Sequence, residues 1–240
     1  MLKNYFSKLF HNAASLNEKH ISDLCTRYGK KGAWLDVGCD DGTYTKRINN
    51  SAKVEWYGIE VVEHRAKLAR KNGIKAKVST LEKPYPFADN TFNLVHSNQV
   101  IEHLFNLDIF ISEIFRVLKP GGIVVISTEN PASWHNIFAL IMGWQMFTHT
   151  NISIKKRVIG NPLSIHSNSE YLFDDDSANF AWQHNKILTP RALAELLSLH
   201  GFSILDSKGA GYHPLPATLG EIDLNHAHFY AIAASKPRIT

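Results

Sequence analysis

Apolar residues along the chain follow two alternating rhythms. Five short runs, AWLDV (33–37), VEWYGIE (54–60), KAKVST (75–80), TFNLVHS (91–97) and GIVVIST (122–128), have the length and β-branched or aromatic content of strands. The last is continuously apolar, as a strand covered on both faces should be. Between them the period changes to that of a helix. VVEHRAKLARKNG (61–73) ends on Gly73, a helix-terminating residue. Ile111, Ile114, Phe115 and Leu118 share one helical face before Pro120-Gly121-Gly122 ends the run. A further helix is predicted from about Thr43, after the Gly38–Gly42 turn. Strands alternating with helices predict an α/β fold with a doubly wound, mostly parallel sheet.

The pattern extends at both ends. Leu2, Tyr5, Phe6, Leu9 and Phe10, and then Ile21, Leu24, Cys25 and Tyr28, lie at helical spacing, which predicts a helical leader over 1–30. Cys25 reads as a small buried hydrophobe. Near the other end Thr189 caps a helix with Pro190 at its first position, Leu193, Leu196 and Leu197 facing inward, and Gly201 as the stop. FSILDS (202–207) and AHFYAIAAS (227–235) complete seven strands in a single domain over 1–240.

Residues 129–187 break the alternation. They mix aromatics, prolines, a basic run (Lys155, Lys156, Arg157) and an acidic run (Asp174 to Asp176), which reads as a solvated loop. The segment is expected to lie as a lid over the carboxyl ends of the strands, with Trp134, Phe138, Trp144, Phe147, Tyr171 and Phe173 suited to an apolar acceptor. Ile137 to Phe147 is too short to span a bilayer. It is expected to lay its apolar face on the core, the alternative being a shallow membrane contact.

Composition narrows the class. The 240 residues are 44% hydrophobic and 20% charged, with a net charge of +4. That is ordinary globular composition, too weakly basic to argue for a nucleic-acid partner. Two cysteines without metal-type spacing argue against a disulfide scaffold. The N-terminal stretch lacks the apolar run of a signal peptide, so a cytoplasmic location is expected.

The stretch WLDVGCDDGTYT (34–45) carries the candidate chemistry. Gly38 and Gly42 suit the first strand-to-helix turn of a doubly wound sheet, where ligands bind. A dinucleotide would set its pyrophosphate there, and Asp40 and Asp41 would oppose it with like charge. S-adenosylmethionine carries no phosphate, a cationic sulfonium and an amino group that needs acceptors. Asp36 and Asp40 supply acceptors, and Glu60, at the end of the second strand, is placed to take both ribose hydroxyls.

With these residues in view, the chain resembles the class I, Rossmann-like S-adenosylmethionine-dependent methyltransferases. LDVGCDDG resembles their first motif, GIE (58–60) their ribose-binding motif, and LKPGG (118–122) their turn into the fifth strand. TLEKPYPFADNTFNLVHSNQVIEHL (80–104) is similar to the segment between. The likeness is tight over roughly 30–128 and loose over 185–235. It implies that Asp36, Gly38, Asp40, Gly42, Glu60, Val61, Thr80, Leu81 and Asn98 bind the cofactor. Asn98 is equally read as a turn cap. Three positions depart from the pattern: Asp40 replaces a glycine, Thr80 an adenine-binding aspartate, and Asn93 an aspartate.

The resemblance also puts Glu102 and His103 at the active-site rim. Relatives acting on ubiquinone precursors or RNA termini bind a divalent ion through Glu-x-x-Glu-His. Here Gln99 stands in place of the first carboxylate, so no metal is expected and His103 reads as a base or a substrate hydrogen-bond partner. His184, before the late helix, is the second candidate base. His226 and His228 read as structural, and the role of His135 is open.

The expected activity is methyl transfer to an oxygen of a small molecule, lipid or glycan, the alternative being a methyltransferase-like binding module with little turnover. No tyrosine has a lysine four residues on, which argues against a short-chain dehydrogenase.

Overall fold

A computed structural model describes residues 2–48, 53–150, 152, 158–165 and 183–238. Seven strands form one sheet: β1 (Gly32–Val37), β2 (Val54–Glu60), β3 (Lys75–Val78), β4 (Phe92–Asn98), β5 (Leu118–Glu129), β6 (Ser203–Ala210) and β7 (Phe229–Ser235). Their spatial order is β3-β2-β1-β4-β5-β7-β6. All neighbours are parallel except β7, which runs antiparallel to both β5 and β6. This is the predicted doubly wound fold, with six α-helices among the described residues: α1 (Leu2–Tyr28), α2 (Thr43–Ile48), α3 (Glu63–Lys71), α4 (Leu107–Val117), α5 (Trp134–Ile141) and α6 (Pro190–Leu199).

The strands have two buried faces, and the period of two in their sequences sorts side chains between them. Leu35 and Val37 of β1, Val95 of β4, and Val124 and Ile126 of β5 join Ile111 and Ile114 of α4 and Leu193 and Leu197 of α6 on one side. Trp34, Leu94, Ile123 and Val125 meet Ile21, Leu24 and Cys25 of α1 on the other. Each fully buried Leu or Ile contributes about 1.5–3 kcal/mol. The Thr189 hydroxyl accepts from the Ala192 amide at 3.2 Å, the predicted cap of α6.

Several boundaries differ. The two leader stripes belong to one helix of 27 residues. Leu118 starts β5 rather than ending the helix, so Pro120 to Gly122 lie inside the strand. That stretch coincides with the register shift against β4 between Phe92 and Leu94. β3 ends at Val78, leaving Ser79 and Thr80 outside it.

The insertion also departs from expectation. Its helix α5 buries Asn136 and Ala139, whereas Trp134, Phe138, Leu140 and Ile141 stay 43–77% exposed. The apolar face is therefore not laid on the core. What pins the helix is polar: Asn136 Nδ2 donates to the Asn130 carbonyl and to Thr148 Oγ1, and its Oδ1 accepts from the Phe147 and Thr148 amides. The basic run 155–157, the acidic run 174–176, Tyr171 and Phe173 lie outside the described residues.

Candidate functional site

The topology brings the carboxyl ends of β1, β2, β4 and β5 to one edge, and the first three deliver nominated groups there. Gly38 follows β1 with φ +84°, and Gly42 has φ +76°. A Cβ on Gly38 would come within 2.5 Å of Val100 Cγ2, so the turn needs glycine for space as well as for backbone conformation. The same closeness places the turn against the 98–100 segment that follows β4.

Glu60 ends β2 and is 8% exposed. Its Oε2 accepts from the Asp40 amide at 3.0 Å and its Oε1 from the Val62 amide at 2.9 Å. These bonds orient the carboxylate and leave each oxygen a further lone pair for a ligand hydroxyl. Burial pushes the Glu60 pKa up, an effect the two amides oppose. Asp36 is fully enclosed and bonded to Thr45 Oγ1 at 2.6 Å, and burial raises its pKa to about 7. Asp40 has φ +48° and its carboxylate is ion-paired with Arg65 of α3. The carboxylate offered as a cofactor acceptor is thus already engaged, and the position braces the turn against α3. Val61 is half exposed beside Glu60, Leu81 is buried, and the half-buried Thr80 accepts from the Glu82 amide at 3.4 Å.

The residues fit S-adenosylmethionine on a further observation. Asn98 Oδ1 and Gln99 Nε2 are buried and have no hydrogen-bond partner among the described residues. An unmatched acceptor beside an unmatched donor, next to a glycine turn, suits a ligand that carries both ammonium and carboxylate.

A cavity of about 330 Å³ opens beside Asn98 and Gln99. Both candidate bases line it, with their rings 4.9 Å apart. They meet because residues 183–186 bond to the 102–103 segment. The Asn185 amide donates to the Glu102 carbonyl at 2.7 Å, and Asn185 Nδ2 donates to the His103 carbonyl at 2.7 Å. His103 Nδ1 donates to the Gln183 carbonyl and His184 Nδ1 to the Thr148 carbonyl. Each neutral ring then carries its proton on Nδ1, which makes Nε2 the basic atom.

Glu102, 1% exposed, accepts from Thr128 Oγ1 at 2.8 Å, and burial raises its pKa to about 6. Glu102, His103 and His184 each place one ligand atom within 4.8 Å of the others, a spacing that a divalent cation could bridge. In the sequence only Gln99, Glu102 and His103 stand together as metal candidates, and the fold adds His184 to the last two.

Other lining residues were missed or misread. Phe6, Phe10, Ala14, Asn17 and Glu18 of α1 line the cavity, so the leader helix is a wall of the site. Asn17 and Ser127, at the end of β5, exchange hydrogen bonds at 2.9 and 3.1 Å. Glu129 ends β5 with its Oε2 3.6 Å from His184 Nδ1. His228, read as structural, lines the cavity together with His213 and His135. His213 Nε2 and His228 Nδ1 lie 2.7 Å apart. His226 does keep a structural role, stacked on Trp134 and bonded to Asp223. Helical spacing of Phe6, Phe10 and Ala14 was the available signal for α1. No local signal marked Glu129 or His213.

Comparison with known proteins bears on the fold and on the family likeness. Residues 35–126 match a family model described as a methyltransferase domain. Over those residues the chain is similar to S-adenosylmethionine-dependent methyltransferases. Among curated relatives, the ubiquinone biosynthesis O-methyltransferase of Rattus norvegicus is 26% identical over 183 residues, covering 67% of this chain and 52% of that protein. A probable tocopherol O-methyltransferase of Oryza sativa is 35% identical over 103 residues, 39% of this chain and 28% of that protein. The chain thus spans about half the length or less of these two relatives.

Solved structures show the same fold. A Listeria monocytogenes protein described as a putative S-adenosylmethionine dependent methyltransferase superposes with TM-score 0.61 at 17% identity, covering 94% of this chain and 98% of that one. The [4+2]-cyclase SpnF superposes with TM-score 0.59 at 18% identity, covering 92% of this chain and 81% of that one. No described helix is long and apolar enough to cross a membrane.

Proposed function

We propose that this methyltransferase-fold protein transfers a methyl group from S-adenosylmethionine to a hydroxyl oxygen of a small-molecule acceptor. The observation that carries the reading is the shared cavity. The basic Nε2 faces of His103 and His184 are brought to the segment that also supplies Asn98 and packs on the Gly38 turn.

Gly38, Gly42, Glu60, Val61, Leu81 and Asn98 would hold the cofactor, with Asp36 and Asp40 shaping the turn. When bound, the cofactor supplies an activated methyl on a sulfonium with a good leaving group. The protein's own work is to hold the acceptor oxygen in line and to take its proton. His103 or His184 accepts that proton on Nε2. Glu129 beside His184 and Glu102 beside His103 then stabilise the imidazolium that forms.

Two observations favour other readings. The ligand-like spacing of Glu102, His103 and His184 supports a version in which a cation polarises the acceptor oxygen. The cyclase on the same fold shows that the scaffold does not dictate methyl transfer, which supports a binding module with little turnover. Calorimetry with S-adenosylmethionine and S-adenosylhomocysteine tests the reading at its base, because binding of neither would overturn it. Formation of S-adenosylhomocysteine with a panel of phenols and alcohols then separates enzyme from module.

A further inference from the structure

Helix α5 presents an apolar stripe to the outside. Trp134, Phe138 and Ile141 follow at the spacing of one helix face and are 43%, 48% and 77% exposed. Hydrogen bonds tie this stripe to two other segments. Trp134 Nε1 donates to Tyr212 Oη at 2.7 Å, and the Leu215 amide donates to the Tyr212 carbonyl at 2.7 Å. Tyr5 Oη of α1 donates to the Pro214 carbonyl at 2.9 Å. Tyr5 and Leu215 are themselves half exposed, so three segments contribute to one apolar patch. Phe6, His135 and His213, which line the cavity, lie one or two residues along the chain from Tyr5, Trp134 and Leu215. The patch therefore borders the cavity.

Charge along the same stretches of chain has one sign. Residues 1–17 and 130–169, which supply Tyr5 and α5, hold Lys3, Lys8, Lys155, Lys156 and Arg157 and no aspartate or glutamate. Lys8, three residues after Tyr5, is exposed. Asp223, the acid bonded to Tyr212, also holds His226, and Glu221 lies 2.8 Å from His20 Nε2. Tryptophan and tyrosine pair an apolar ring with a polar N–H or O–H, which suits them to the depth of lipid headgroups. An apolar helix stripe accompanied by basic residues is the pattern of a helix lying in the plane of a membrane surface.

We propose that this face docks on an anionic lipid surface. Tyr5, Trp134, Phe138, Ile141 and Leu215 enter the headgroup region, and the basic residues of the two stretches are drawn to lipid phosphates. The docking adds a partner to the methyl-transfer reading and does not depend on it. A cavity bordered by the docked face receives apolar molecules from the lipid without their crossing water.

Vesicle sedimentation of the full chain tests this without any methyl transfer. Vesicles of about three parts phosphatidylcholine to one part phosphatidylglycerol should bind the protein, and pure phosphatidylcholine about tenfold more weakly. Ile141→Glu and Leu215→Glu, on two separate segments of the patch, should each weaken binding to the anionic vesicles about tenfold or more. Both positions are exposed, so the variants should keep their circular dichroism spectrum and their calorimetric affinity for S-adenosylhomocysteine. Lys155→Glu combined with Lys156→Glu should lower binding to the level seen on pure phosphatidylcholine.

No binding to the anionic vesicles, equal binding to the two vesicle types, or binding indifferent to both glutamate variants of the patch would each overturn the proposal. So would a dimer in light scattering that Ile141→Glu and Leu215→Glu dissociate, because the face would then belong to a second copy of the chain. Failure of S-adenosylhomocysteine to bind the unaltered protein would remove the methyltransferase reading and leave the vesicle result standing.

Discussion

Phe229 lies opposite Glu129 in the antiparallel ladder between β7 and β5. His228, one residue earlier, therefore arrives at the edge where the parallel strands end, with its Nε2 3.9 Å from Glu129 Oε1. One carboxylate thus stands between His184 of the insertion and His228 of the last strand. A parallel β7 would have carried His228 to the far edge of the sheet.

Glu60→Ala removes the carboxylate that holds the Asp40 and Val62 amides and faces the cofactor's side of the turn. S-adenosylhomocysteine affinity should fall by about 1.5–3 kcal/mol, read by calorimetry. Unchanged affinity would remove Glu60 from the cofactor site.

His103→Ala and His184→Ala separate binding from chemistry. Whichever histidine is the base should lose about 10²–10⁴-fold in kcat when truncated, with S-adenosylhomocysteine affinity preserved. A loss confined to KM would make that residue a binding group.

Turnover is expected to survive EDTA, because Gln99 stands where metal-dependent relatives carry a carboxylate and Glu102 is bonded to Thr128. Activity lost on chelation and restored by magnesium would assign Glu102, His103 and His184 to a cation instead.

Asn136→Ala strips four hydrogen bonds from a fully buried hub and leaves backbone groups of the 147–148 segment unsatisfied. Thermal denaturation should show a loss of about 2–4 kcal/mol. Hydrogen exchange should rise first over 134–150, a described part of the segment expected to close over acceptor.

His96 is fully buried in β4, its ring 5.8 Å from that of Tyr44, and burial lowers its pKa to about 3. The unfolded chain takes up a proton near the ordinary imidazole value of about 6.5 and the fold does not, so stability is lost as pH falls from there towards 3. Asp36, raised to about 7, acts in the opposite sense: the fold keeps its proton, and stability falls as pH rises from about 4 through 7. His96→Phe should therefore flatten the acid limb of the stability profile by up to about 1.4 kcal/mol per pH unit. An unaltered limb in urea titrations across that range would refute the assignment.

Most strands and helices, and the tight Gly38–Gly42 turn, are legible in the sequence, because they depend on neighbours. Apolar period separates strand from helix, Gly38 and Gly42 are needed where φ is positive, and Glu60 ends a strand whose limits are visible locally. The order of the sheet, the direction of β7 and the course of α1 were decided only by the tertiary structure. They depend on which buried faces meet, as when Ile21, Leu24 and Cys25 settle on the sheet and carry Phe6 and Phe10 to the cavity. The same limit explains Asp40, whose partner Arg65 is 25 residues away, and Glu129, which gains its histidines from the insertion and from β7. A residue's chemistry is written in its type, but its partners are set by packing between segments far apart in the chain.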